Sequence, residues 1–320
     1  MELKNNISDR KLLRSFRNSK VSLIIIFIVY AAIITCINPR FMSAMNIKNI
    51  FVQISITGVF SLGMLLVMLT GGIDLSAAAM SSLLGCIAAK LLVAGASYIL
   101  VILLVLLLGI VFQGIMGFII SRTSLEPFIV SLGFMSMYTG TTLLITNGSE
   151  LNAGGALSFL NCFPLGLSLL AYVYFAMAVI FGVILSKTKY GRRLYYVGDN
   201  PQAAYYSGID VKNYKLSAYV LNGLLIAIAT LMTVSRLDTA SATMSSDKEI
   251  DAIAACVVGG TVMSGGKGDV LGVFIAVLFL GCMTNSMTVI GLSSYIATLL
   301  KGAFIVIAVV LAQLNSSKTK

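Results

Sequence analysis

The residues able to do chemistry in this sequence are few, and most stand beside glycine. Asp74 lies in LTGGIDLS, residues 69–76, and Asp269 closes the run GGKGD, residues 265–269. A glycine-rich run ending in lysine invites a phosphate-cradle reading. In that motif backbone N–H groups and the lysine hold phosphates, and a following hydroxyl holds Mg²⁺. Here Thr261 occupies the first glycine position and Gly268 the hydroxyl position, so the run lacks the parts that nucleotide binding needs. The sequence has no histidine, and its cysteines, Cys36, Cys86, Cys162, Cys256 and Cys282, form no CxxC pair. Neither a metal site nor a disulfide framework is supported.

Hydrolysis by carboxylates is the next possibility, because Gly266 to Asp269 matches the GxGD pattern of intramembrane aspartyl proteases. Such chemistry needs two carboxylates that share a proton and activate water. The second aspartate of those enzymes follows a tyrosine, and no Tyr-Asp dipeptide occurs here. What remains is a set of polar residues in apolar surroundings. Asp74 either caps the helix that follows, together with Ser76 and with Gly71 and Gly72 freeing the backbone, or takes part in gating. Asn285, between Thr284 and Ser286, either bonds one helix to another or lines a polar path. Gly259 and Gly260 serve close packing or line that path. Asp238, Asp247, Glu249 and Asp251 form an acidic stretch able to dock a partner.

The elements that position these residues follow from composition. Of the 320 residues, 58% are hydrophobic and 11% charged, and the mean hydropathy is +0.98. A soluble domain carries roughly 25% charged residues, so a bilayer is the implied solvent. Apolar runs near 21–37, 49–70, 75–93, 97–120, 127–146, 164–185, 215–234, 250–264, 270–289 and 292–312 give an all-α polytopic membrane protein of about ten transmembrane helices. The run at 250–264 is short and glycine-interrupted, which predicts a discontinuous helix. A basic segment, 1–20, precedes a single transmembrane domain over 21–312, and a short tail covers 313–320. No A-x-A site follows the first apolar run, which reads as a retained helix.

The formal charge of +10 is explained by topology and not by nucleic-acid binding. With the N-terminus inside, 16 Lys and Arg fall on the inner side and five on the outer, which places both termini in the cytoplasm. Two outer segments, 147–163 and 235–251, are long enough to meet something outside.

The inner loop 187–215 carries the strongest local punctuation. Asn200 is a good N-cap, Pro201 suits the first helical position, and Gly208 suits the left-handed turn after the last. A helix over 201–207 is expected, about 10 Å long at ~1.5 Å per residue. So short a helix is marginal alone. Ala203, Ala204, Tyr205 and Tyr206 offer small and aromatic surface to a cytosolic partner, though a membrane-surface helix or plain connector has the same punctuation.

Three segments together resemble a known family. GDNPQAAYYSGI (198–209), LTGGIDLS (69–76) and EIDAIAACVVGGTVMSGGKGD (249–269) are similar to motifs of ribose-type ABC permeases, over a match from about Asn46 to the end. Departures occur at Val262 and Met263 and at Ala77 to Ala79. The resemblance implies a type II-like importer permease in the bacterial cytoplasmic membrane, paired with a second permease, identical or paralogous. A separate ATPase would use ATP and Mg, this chain binding no cofactor, and an extracytoplasmic binding protein would deliver a monosaccharide or autoinducer-2. Gly198, Asp199, Asn200, Pro201, Ala203, Ala204, Ser207 and Gly208 would be the segment that rests on the ATPase. An ion-coupled secondary transporter or channel is the alternative class, but such carriers bury titratable groups within their spans, and here Asp74, Lys90 and Lys301 lie near span ends.

Overall fold

The computed structural model describes residues 19–293, 295–304 and 306. Most of the basic segment 1–20, the tail 313–320 and the end of the run 292–312 lie outside the described residues. The chain is helical: α1 (Ser19–Ile37), α2 (Ala44–Leu69), α3 (Ala77–Val93), α4 (Tyr98–Arg122), α5 (Pro127–Thr146), α6 (Leu169–Lys187), α7 (Lys189–Asp199), α8 (Pro201–Tyr206), α9 (Val211–Leu237), α10 (Lys248–Val258) and α11 (Val270–Val289). A further helical stretch covers Tyr295–Phe304. Six of these, α2, α4, α5, α6, α9 and α11, are long and apolar enough to cross a bilayer, and α3 is a shorter apolar helix.

Burial separates central helices from peripheral ones. The side chains of α2 from Ser61 to Leu69 are buried without interruption. α2 packs against α6, α9, α10 and α11, so it forms the centre of the bundle. α4 is two-faced. Leu100, Leu103, Leu107, Val111, Ile115 and Phe118 are exposed at helical spacing, an apolar stripe suited to lipid. Its opposite face meets α9 through glycine. A Cβ at Gly109 would stand 2.6 Å from the Gly223 carbonyl oxygen, and one at Gly223 would stand 2.2 Å from that of Gly109. Hydrocarbon gives helices no hydrophobic drive to associate, so backbone approach of this kind supplies the packing energy.

α10 has 11 residues, roughly 17 Å at ~1.5 Å per residue, too short to cross a ~30 Å core. The glycine interruption read within the run 250–264 falls at Gly259, which caps the helix, and Gly260, which turns at φ +91°, so the chain leaves the helix and runs through 261–269 into α11.

The two long segments 147–163 and 235–251 form one unit that periodicity did not reveal. Leu151–Asn152 pairs antiparallel with Thr239–Ala240. Asp238 accepts the Gly155 N–H through Oδ1 (2.8 Å) and the Ala153 N–H through its carbonyl (2.8 Å). Ser235 Oγ donates to the Leu157 carbonyl. Two-residue strands carry no period to read.

Candidate coupling site

The three segments singled out by sequence converge at one end of α2. α7 ends at Gly198–Asp199 against the last turn of α2. There a Cβ on Gly198 would lie 1.8 Å from the Leu69 carbonyl oxygen and 2.6 Å from the Gly266 nitrogen. The Gly266 N–H donates to that same Leu69 carbonyl at 3.0 Å. Gly265 and Gly266 hold φ of +94° and +73°, a region that L side chains rarely enter. A Cβ on Gly265 would meet the Gly198 oxygen at 2.8 Å and the Gly71 nitrogen at 2.9 Å. Three stretches of backbone thus touch with no side chain between them. Tyr195 of α7 adds a strap by donating its hydroxyl to the Gly268 carbonyl at 2.7 Å. Burial, and after it the nearby Asp269, raises the Tyr195 pKa, so the phenol stays a donor.

Asp74 sits beside this junction and is fully buried. Its Oδ1 accepts the Ser76 N–H (2.8 Å) and the Ser76 hydroxyl (2.6 Å). Its Oδ2 accepts amide N–H groups from Gln113 (2.6 Å) and Asn222 (2.7 Å). Ser76 precedes α3 without a capping bond of its own. The carboxylate therefore both orders the turn into α3 and ties it to α4 and α9, which makes it a tether between helices more than a simple cap. Gly72 permits the approach of Tyr219, whose hydroxyl oxygen would stand 2.5 Å from a Cβ there. Gln113 and Asn222 were missed in the sequence, although an isolated amide in an apolar span is itself a signal.

The inner loop holds the short helix and one more. α8 begins at Pro201 and is capped by Asn200, whose Oδ1 accepts the Ala203 N–H at 2.9 Å. It ends at Tyr206, and Gly208 turns at φ +76°. Ser207 donates its hydroxyl to the Ala203 carbonyl. Ala204 is buried under the helix, while Tyr205 and Tyr206 are 69% and 86% exposed. α7, which the reading of the loop had not included, carries α8 to the junction: Gly198 and Asp199 touch α2 and Gly266, and Asn200 and Pro201 follow directly.

The other candidate residues are placed as follows. Asn285 and Asn46 exchange amide bonds in both directions, at 2.8 and 3.0 Å, joining α11 to α2. This favours helix bonding over a polar path. Asn285→Ala is expected to lower stability by about 1 kcal/mol, and a double-mutant cycle with Asn46→Ala, which also gives up its bond to the Phe41 carbonyl, is expected to show less than additive loss by thermal unfolding in detergent. Gly259 packs on Gly272, with a Cβ 2.7 Å from the Gly272 carbonyl carbon, whereas Gly260 is exposed and serves the turn. Of the acidic stretch, Glu249 is buried, Asp251 pairs with Lys301 and Lys248, and Asp238 ties the outer segments together. Asp247 is exposed in a left-handed conformation. Among the described residues no group of His, Cys, Asp and Glu is arranged to hold a metal ion.

Comparison with known proteins identifies the family of the chain. Residues 46–309 match a family described as branched-chain amino acid transport system / permease component. The ribose import permease protein of Bacillus subtilis is 37% identical over 293 residues, covering 90% of this chain and 91% of that protein. The ribose import permease protein of Escherichia coli K12 is 34% identical, covering 89% and 91%. The galactose/methyl galactoside import permease protein of the same strain is also 34% identical, covering 92% and 94%. No solved structure matches. With most of its length matched and its three glycine motifs meeting at a single junction, the chain belongs to this family of transport permease components, among which it resembles the monosaccharide-import permeases of ABC transporters.

Proposed function

We propose that this chain is the membrane-spanning subunit of an ATP-binding cassette importer for a monosaccharide. It works beside a second permease in a bacterial cytoplasmic membrane, its helices in lipid, crossing about ten times with both termini inside. An extracytoplasmic binding protein delivers the sugar to the outer segments. A separate ATPase, using ATP and Mg, grips α8 from the cytosol. The observation that carries this reading is the backbone junction of Gly198, Leu69 and Gly266. A push on α8 passes through α7 to the end of α2 and to the loop that joins α10 to α11, with no flexible side chain to absorb it. Relatives named for ribose and galactose support a monosaccharide as the cargo.

The ATPase contact is tested at the two exposed tyrosines. Replacing Tyr205 and Tyr206 together by alanine removes large amphipathic surface of the kind that dominates interfaces, while Asn200 still caps the helix. Co-purification of the ATPase from membranes is expected to fall at least about ten-fold, with the permease reaching the membrane at parental levels. Undiminished co-purification would place the ATPase elsewhere. Asn200→Ala is expected to cost about 1 kcal/mol of local helix stability, read as faster backbone hydrogen exchange over 201–207.

A further inference from the structure

Beside the middle of α2, away from the junction, a cavity of about 130 Å³ opens between α2, α10, α11 and the helical stretch Tyr295–Phe304. Four charged residues line it, Asp247, Lys248, Asp251 and Lys301. Lys301 pairs with Asp251, and Lys248 lies 3.7 Å from the same carboxylate and 3.5 Å from Thr57 Oγ1. Both ammonium groups face the Asp251 carboxylate, and Asp247 brings the formal charge of the lining to zero, which favours a neutral solute. Its uncharged polar groups are Gln53, Thr57, Ser246 and Thr284. The Gln53 amide makes no hydrogen bond among the described residues. Thr284 spends its proton on the Leu280 carbonyl, which leaves its oxygen as an acceptor. Ile54, Ala255 and Val277 supply an apolar wall.

Donors and acceptors of both kinds, closely spaced over a patch of aliphatic surface, match a molecule whose hydroxyls both give and take hydrogen bonds and whose other face is C–H. Charged groups facing a membrane interior are expensive and are kept where a polar solute or water meets them. The ion pairs hold Lys248, Asp251 and Lys301 in place, so a neutral ligand meets preorganised groups and does not have to break a salt bridge to enter.

We infer that this cavity is a low-affinity subsite for a neutral aldose on the outer half of the translocation path, with Gln53, Thr284 and the Asp251 carboxylate contacting its hydroxyls. The inference rests on the importer reading, yet its test does not use the ATPase. The full chain in lipid nanodiscs is probed by saturation-transfer NMR with D-ribose, D-allose, D-galactose and ribose 5-phosphate. At least one neutral sugar is expected to give a signal that Gln53→Leu and Thr284→Val each weaken several-fold, and ribose 5-phosphate a weaker one. Asp251→Asn leaves the lining with excess positive charge and is expected to shift the preference toward ribose 5-phosphate. Thr284→Val is isosteric and keeps the fold; Ser136→Ala, on exposed α5, is the control and leaves the signal unchanged. No signal from any of the three sugars, or signals indifferent to both cavity variants, would overturn the subsite while leaving the importer standing if the ATPase still co-purifies. Sugar binding by a chain with which no ATPase co-purifies from membranes would overturn the importer and spare the subsite.

Discussion

Gly198→Ala is expected to reduce sugar uptake to below about a tenth of the parental rate, a loss corresponding to about 1.4 kcal/mol, although the change adds a single methyl group. That methyl would fall 1.8 Å from the Leu69 carbonyl oxygen and 2.6 Å from the Gly266 nitrogen. Overpacking among side chains typically costs ~1–3 kcal/mol because rotamers yield. Both obstacles here are backbone, so α7 itself has to move off α2. α8 moves with it, and the push proposed to reach it no longer lands on the loop after α10. The matching control is Gly140→Ala in α5, where a Cβ meets nothing within 4 Å. That change suits a helix interior and is expected to stabilise slightly. Uptake of labelled sugar, normalised to the amount of permease in the membrane, reads both. Equal uptake in the two variants would remove the junction from the mechanism.

Asp74→Leu is expected to abolish accumulation of the folded protein. The carboxylate accepts hydrogen bonds from the Ser76 N–H, the Ser76 hydroxyl and the amides of Gln113 and Asn222. A leucine strands these donors in a buried site, and each unsatisfied group costs about 1–3 kcal/mol. Asp74→Asn is expected to be milder. Its oxygen still takes the Ser76 N–H, and its new N–H₂ can give to Gln113 Oε1, which has no partner at present, once that amide turns over. One donor-to-donor contact with Asn222 remains. The asparagine variant is therefore expected to fold with a lower Tm and to transport in proportion to the folded fraction. A fully folded Asp74→Asn protein that fails to transport would show that the negative charge itself serves the gate.

The helices were legible in the sequence wherever a bilayer sets the rules, because a run of apolar residues has one stable fate there. The α5 limits, Pro127–Thr146, coincide with the run that was read, and Asn200-Pro201 placed α8 to within one residue at its end. Hydropathy alone carries the eighth apolar run to residue 264, and it is the glycines at 259 and 260 that mark its interruption, where α10 ends. α7 was not recognised because its sequence, KYGRRLYYVGD, is charged and carries two glycines. Packing against α2, α6 and α9 holds it helical, and that is a tertiary effect. For the same reason sequence identified the three glycine motifs but not their meeting, since nothing in 69–76 indicates that 198 or 266 is its neighbour. Gln113 and Asn222 were visible as isolated amides, yet only the fold shows that both point at Asp74.

Transport driven by a partner's ATP hydrolysis through α8 can be measured in proteoliposomes holding the permease with its co-purifying ATPase, with D-ribose, D-allose and D-galactose offered alongside the binding protein. Accumulation of one of these sugars is expected to require both ATP and the binding protein, to be indifferent to ionophores, and to disappear in the Tyr205→Ala, Tyr206→Ala double variant. Accumulation that follows an ion gradient in the absence of ATP would rule out ATP-driven import and establish an ion-coupled carrier.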